Sequence, residues 1–148
     1  MRIRRANISD ATTIRDLYNE LREYELSLLN GHVKDIQMKW ETKKTLSVVK
    51  RWLSSKNDIT LIVEGKRPAG FISFVIGPNN EASFDIYVKK EFRRKGFGKK
   101  LFNAALPYLK KRACKSVSLD VYPANRDAKM MYKNLGFELV FERHKRKI

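Results

Sequence analysis

Eight consecutive residues, Arg93-Arg94-Lys95-Gly96-Phe97-Gly98-Lys99-Lys100, set five cations around two glycines, between the apolar run Phe84-Asp85-Ile86-Tyr87-Val88 and a periodic run beginning at Leu101. An extended run, a glycine turn and a helix start together present free backbone N–H groups and the positive end of a helix dipole, a ready site for phosphate. Glycine lets the ligand come close to the chain. Two nucleotide motifs are excluded by spacing. A P-loop needs glycine where Arg93 stands and Ser or Thr where Lys100 stands. A dinucleotide fingerprint needs a third glycine at Leu101 and a parallel βαβ start. Neither kinase nor dehydrogenase chemistry follows. The other chemically suggestive residue nearby is Asp85, the one charged side chain between Ala82 and Val88. A carboxylate in a largely buried strand suits a base, a substrate anchor or a hydrogen-bonded structural role, and the sequence leaves the three open.

Positioning these groups requires a core, and 148 residues with 43% hydrophobic and 11% aromatic content suffice for one domain, expected over 1–148. After a short strand at Arg2–Ala6, Ser9 or Asp10 should cap a helix on which Ile14, Leu17, Tyr18, Leu21, Tyr24 and Leu28 recur at spacings of three and four. Asn30-Gly31 should end it. Residues 31–40 have weak periodicity and read as a loop, followed by a second helix carrying Leu46, Val49, Trp52 and Leu53. The period then shifts to two: ITLIVE, AGFISFVI and ASFDIYV, separated by EGKRP and GPNN, predict a three-strand antiparallel meander. Beyond the glycine turn come a helix with Pro107 inside it, expected to bend there, a strand SVSLDVY, a helix DAKMMYKNL closed by Gly136, and a last strand in FELVFERHKRKI. The order is β-α-α-β-β-β-α-β-α-β.

Arg93-Arg94-Lys95-Gly96-Phe97-Gly98 fits the pattern Q/R-x-x-G-x-G/A, and between a strand and a helix it resembles the acetyl-coenzyme A motif of the GNAT superfamily of N-acetyltransferases. Downstream, Asn125-x-x-Ala128-x-x-x-Tyr132-x-x-x-Gly136-Phe137 resembles the same family's second motif, in the right order. The resemblance implies an α+β fold with a mixed central sheet of six to seven strands, flanked by four helices and splayed between the fourth and fifth strands. It implies acetyl-CoA as cosubstrate, with Ile86, Tyr87 and Val88 pairing their backbone with the pantetheine arm. Arg93, Arg94, Lys95, Gly96, Phe97, Gly98 and Lys99 would wrap the pyrophosphate, and Asn125, Ala128 and Tyr132 would line the pantetheine side. Tyr132 matches the family's general acid, which protonates the departing thiolate, and the Val88 amide would stabilise the oxyanion. Each role has a plainer competitor: solvated surface cations, a core tyrosine on the stripe with Ala128, Met131 and Leu135, and an asparagine that caps a helix. Many relatives carry Glu one place before Asp85, where this chain has Phe84.

The amine acceptor is less legible. Residues 89–100 account for +6 of a net charge of +16, so +10 lies elsewhere and could draw an acidic or nucleoprotein partner. Against that field stand Glu20, Glu23 and Glu25 of the first helix, candidates to receive a cationic amine such as a lysine side chain, a protein N-terminus or a polyamine, or else surface acids paired with Arg15 and Arg22. His32 and His144 have no ligand grouping around them, so no metal is expected. Cys114 lies outside the motifs, which disfavours an acyl-cysteine route. With no signal-like N-terminus and no run near the ~18 to 20 apolar residues of a membrane span, a cytoplasmic, membrane-free protein is expected. The apolar last strand could present an edge for a homodimer. Two other functions compete: a nucleic-acid-binding basic module, disfavoured because most aromatics fall on core-facing periods, and a catalytically silent acetyl-CoA sensor.

Overall fold

The computed structural model describes residues 1–38, 43–146 and 148. Its centre is a mixed sheet in the order β1-β2-β3-β4-β5, formed by Arg2–Arg5, Asp58–Glu64, Pro68–Ile76, Glu81–Val88 and Ser116–Ser118. The first four strands are antiparallel and β5 runs parallel to β4. The period-two meander is thus present with its turns where glycine, proline and asparagine placed them.

Alternation along the strands divides the core into two layers. Leu61, Ile72, Phe74 and Phe84 face α4 (Phe97–Lys111), meeting Leu101, Phe102, Ala105 and Leu109. Ile62 and Phe71 face the opposite side, against Ile14, Leu17, Tyr18 and Leu21 of α1 (Ala11–Ser27) and Val49 of α3 (Leu46–Ser54). Phe71 and Phe74 are wholly buried, each contributing about 1.5 to 3 kcal/mol by leaving water. The periodicity of α1 therefore faces the core from Ile14 to Leu21 as the spacing predicts, whereas Tyr24 and Leu28 lie outside both core clusters. Pro107 lies inside α4, which continues unbroken to Lys111 without the amide bond Pro107 cannot make.

Asp10 stands at the N-cap of α1, one of the two positions expected, although its carboxylate accepts from the Asn7 amide at 2.8 Å rather than capping α1, and Asn7 caps the short 3-10 turn that leads in. Four expectations are corrected. Gly31, at φ +55°, opens a fifth helix, α2 (Gly31–Met38), where a loop was expected; the remainder of that stretch, 39–40, lies outside the described residues. The strand expected over 116–122 stops at Ser118. The last strand is absent: among the described residues of 137–148 none forms a strand, and Leu139, Val140 and Phe141 are exposed. Among the described residues, five strands and five α-helices stand where six to seven strands and four helices were expected. The physical reason is shared by both strand errors. A strand exists only against a partner, and β5, ending after three residues, offers the tail almost no ladder to join.

Candidate active site at the open edge of strand β4

The parting of β5 from β4 creates the site. Only Glu81, Ala82 and Ser83 pair with β5, so from Phe84 to Val88 the far side of β4 has no strand beside it among the described residues. The Lys89 amide donates to Ala69 on β3. In an antiparallel ladder successive residues turn their backbone groups to opposite sides, so Tyr87 and Asp85 also face β3 and Ile86 and Val88 face the gap. Of the three residues expected to contact the pantetheine arm by backbone, Ile86 and Val88 offer groups to the gap, whereas Tyr87 can reach it only by its side chain.

Beyond Val88 the chain makes a 3-10 turn at Lys90–Phe92 and enters α4 through two left-handed residues, Arg94 at φ +61° and Gly96 at φ +75°. Among the described residues no side chain caps α4, so its first-turn amides point outward with the helix dipole behind them. The two glycines serve different ends. Gly96 has nothing within 4 Å of a hypothetical Cβ, and glycine is favoured there by the backbone angle. Gly98 has an unremarkable angle, but a Cβ there would stand 2.5 Å from Sδ of Met131 and 3.8 Å from Ile86. Its smallness lets α4 approach α5 (Arg126–Asn134) and β4 together.

The cations of the turn do not all point one way. Arg93 folds back, donating from Nε to the Val88 carbonyl at 2.8 Å while its guanidinium lies 4.3 Å from the Tyr24 ring centre and 5.5 Å from that of Tyr87. Arg94 pairs with Asp127 on the exposed surface, and Lys95 donates to the Glu91 carbonyl at 3.3 Å. Lys100 sits over the Phe97 ring. Asn125 is a helix cap, its side-chain oxygen accepting from the Ala128 amide at 3.3 Å.

Tyr132 closes the other side. Its ring packs edge-on against Phe84 and Phe137, centroids 5.9 and 5.7 Å away, in a cluster with Phe74 and Phe102. Burial first, then the negative charges of Glu25 and Asp85, hold its hydroxyl above the ordinary tyrosine pKa. Those acids arrive from the opposite face of the sheet. One residue of offset decides this: Phe84 faces α4, so Asp85 faces α1, where it meets Arg22 at 3.1 Å. A Glu at position 84 would point to the other layer.

Arg22 is 13% exposed and gathers the acidic side of the site, pairing Glu25 at 2.5 Å as well as Asp85 and donating to the Tyr18 hydroxyl at 2.8 Å. Burial pulls its guanidinium pKa down, but the charges of Asp85 and Glu25 outweigh this and leave it raised. Burial, then the Asp85 charge, push Tyr18 up to about 12. Glu20 pairs with Lys89 at 3.0 Å, next to the end of β4, whereas Glu23 pairs with Lys43 on the open surface. The structure thus brings Glu20, Glu25, Asp85, Val88 and Tyr132 to one edge and leaves Glu23 outside it. The sequence alone marks Arg22 only as a surface partner for the acids of α1. The signal available was the i, i+4, i+7 stripe of Tyr18, Arg22 and Glu25 beside a lone strand aspartate.

The sequence profile described as the acetyltransferase (GNAT) family matches residues 14–137. An uncharacterised N-acetyltransferase of Bacillus subtilis (strain 168), YhfO, is 27% identical over 140 residues, covering 93% of this chain and 90% of that protein. Another, MJ1207 of Methanocaldococcus jannaschii, is 44% identical over 54 residues, 36% of this chain and only 24% of that longer protein. Among solved structures, the PaiA N-acetyltransferase of Thermoplasma acidophilum in complex with coenzyme A shares the fold at TM-score 0.75 and 24% identity, over 94% of this chain and 90% of that one.

Proposed function

The chain belongs to the acetyltransferase (GNAT) family and is an N-acetyltransferase with acetyl-CoA as cosubstrate, and from that premise we propose that it moves the acetyl group to a primary amine by direct attack at the open edge of β4. The observation that carries this reading is the coincidence of that unpaired edge with the uncapped start of α4 and the Tyr132 hydroxyl.

The residues fit the cosubstrate in three ways. The α4 amides and the turn at Arg94 and Gly96 suit a pyrophosphate. Ile86 and Val88 suit an amide-bearing arm lying along β4 like an added strand. Gly98 lets the start of α4 sit close against Met131 of α5 and Ile86 of β4, which holds the α4 amides beside the gap. When bound, acetyl-CoA supplies an activated thioester. The Val88 N–H, facing the gap, is placed to donate to the carbonyl oxygen as it gains charge. Tyr132, kept neutral by its raised pKa, is placed to give its proton to the sulfur that leaves.

Asp85 serves better as an anchor than as a base, because taking up a proton would strip Arg22 of a partner at a half-buried site. Asp85 and Glu25 together receive the acceptor's ammonium, with water as the final proton sink. Glu20, tied to Lys89, borders this place. The test is an acceptor screen of amino acids, polyamines, peptides and basic proteins, reading free thiol released from acetyl-CoA. Amine-dependent release that falls about a hundredfold in Tyr132→Phe supports the reading. Release at an equal rate in that variant removes Tyr132 from the chemistry.

A further inference from the structure

Three connections meet at the end of the sheet where β4 begins, remote from the open edge at Phe84 to Val88. The link from α3 to β2, the turn from β3 to β4 and the link from α4 to β5 are tied together there. The Ile76 amide donates to the Asn57 carbonyl at 3.0 Å, the Lys115 amide to the Asn80 carbonyl at 2.8 Å, and the Arg112 guanidinium to the Lys56 carbonyl. Between them lies an open cleft of about 390 Å³ lined by Asn57, Ile76, Gly77, Pro78, Asn80 and Arg112. The fold gathers Lys56, Lys110, Lys111, Arg112 and Lys115 around it, all exposed, against the two carboxylates Asp58 and Glu81 that start β2 and β4. Among the described residues none of these five cations forms an ion pair. All five belong to the charge outside residues 89–100. The 8 residues of β4 put about 23 Å between this cleft and Val88, so these cations are not the ones that face the cosubstrate.

We propose that this basic end of the sheet is a docking surface for double-stranded RNA, held through its phosphates by the five cations and through its 2′-hydroxyls by the amides of Asn57 and Asn80. A single exposed lysine holds a phosphate weakly, because water and salt screen the pair. Several cations on one surface act together, since each phosphate neutralised releases a counterion. The cleft wall has no aromatic ring on which bases could stack, which disfavours a single strand and favours a duplex met by its backbone. Asn57 and Asn80 decide between duplexes. Both are exposed, and a side-chain amide offers an acceptor as well as donors. A phosphate can only accept, so the amide oxygen is wasted on a DNA backbone, whereas a 2′-hydroxyl can donate to it. Docking here leaves the far end of β4 open, so RNA and coenzyme A bind together, and it does not depend on how the acetyl group is moved.

The test is fluorescence anisotropy of a labelled RNA duplex of about 20 base pairs and mixed sequence, titrated with the coenzyme A-loaded protein between about 50 and 200 mM salt. With about four or five phosphates neutralised, log affinity plotted against log salt should have a slope of about −4. The triple variant Lys110→Gln, Lys111→Gln, Lys115→Gln should flatten that slope to about −1. A control that removes as much charge elsewhere, Lys66→Gln, Arg67→Gln, Lys129→Gln, should stay within about one of the wild-type slope. Should the first triple variant not fold, Lys115→Glu alone carries the test, with a loss of affinity of about tenfold at the lower salt. A DNA duplex of the same sequence should bind about threefold or more weakly. An unchanged slope in the first variant overturns the proposal, as does an equal fall in both variants, since the field of the whole protein would then hold the RNA. So does DNA bound as tightly as RNA, or displacement of the RNA by poly-glutamate at matched charge, which would mark an acidic protein as the partner.

Discussion

Replacing Gly98 by alanine tests how the turn and the second motif are joined. The added Cβ would lie 2.5 Å from Sδ of Met131, where ordinary contact begins near 3.5 Å, so α4 and α5 must separate, or Met131 must move, by roughly 1 Å. Overpacking of this kind costs about 1 to 3 kcal/mol. In a chain of this size each kcal/mol lowers Tm by about 2 to 4 °C, giving a fall of roughly 6 °C for Gly98→Ala. Because Met131 is next to Tyr132 on α5, kcat should fall as well. Shortening the obstructing side chain should relieve the clash: in a thermal-denaturation cycle Gly98→Ala and Met131→Ala should couple favourably by about 1 kcal/mol or more. Gly96→Ala is the internal control. It meets nothing within 4 Å yet sits at φ +75°, so it should cost about 1 to 2 kcal/mol and be indifferent to Met131→Ala, while asparagine at position 96 is tolerated better. Additivity of Gly98→Ala with Met131→Ala within about 0.3 kcal/mol, or coupling at Gly96 instead, would show that close packing is not what keeps position 98 small.

Three further outcomes follow from particular side chains. Tyr132→Phe should lower kcat about a hundredfold with a Tm close to wild type, since the ring contacts with Phe84 and Phe137 remain; and because the hydroxyl pKa is raised, any alkaline limb of the wild-type rate profile below pH 10 should persist in the variant. Asp85→Asn should raise the acceptor KM and leave the acidic limb of the rate profile in place; loss of that limb would make Asp85 the base. Arg4 holds Asp10 and Glu64 below their ordinary values of 3.8 and 4.5, mainly by hydrogen bonding. Their folded pKa values are depressed, so the stabilisation is complete above those ordinary values and is lost as pH falls through the folded ones. Urea denaturation should therefore show wild-type stability falling between about pH 5 and 2, and Arg4→Met should flatten that fall after an initial loss of about 2 kcal/mol at pH 7.

What was legible from sequence was what is local. The glycine turn, the meander and the α1 and α4 faces are written in spacings of a few residues, and each is present. The partner of Asp85 was not, because Arg22 lies 63 positions away and only the register Ser73↔Asp85, with α1 packed over that face, brings them together. The last strand failed for a related reason. FELVFE alternates as a strand should, but pairing depends on β5, which ends at Ser118, and the tail beyond it carries Arg143, Lys145 and Arg146, which repel one another. The helix at Gly31 was missed because its periodicity is weak and glycine was read only as a stop. Position 84 shows the reverse: a one-residue departure from the family's acid is plain in sequence, and the structure gives its consequence, sending the aspartate to the opposite face.

Direct transfer at the β4 edge is tested most plainly by initial rates at several fixed concentrations of acetyl-CoA and of the best amine from the screen. Attack by the amine on the bound thioester requires both substrates at once, so reciprocal plots are expected to intersect. Parallel lines would signal an acetylated enzyme formed before the amine arrives and would contradict the roles of Val88 as oxyanion donor and Tyr132 as general acid in a single transfer step.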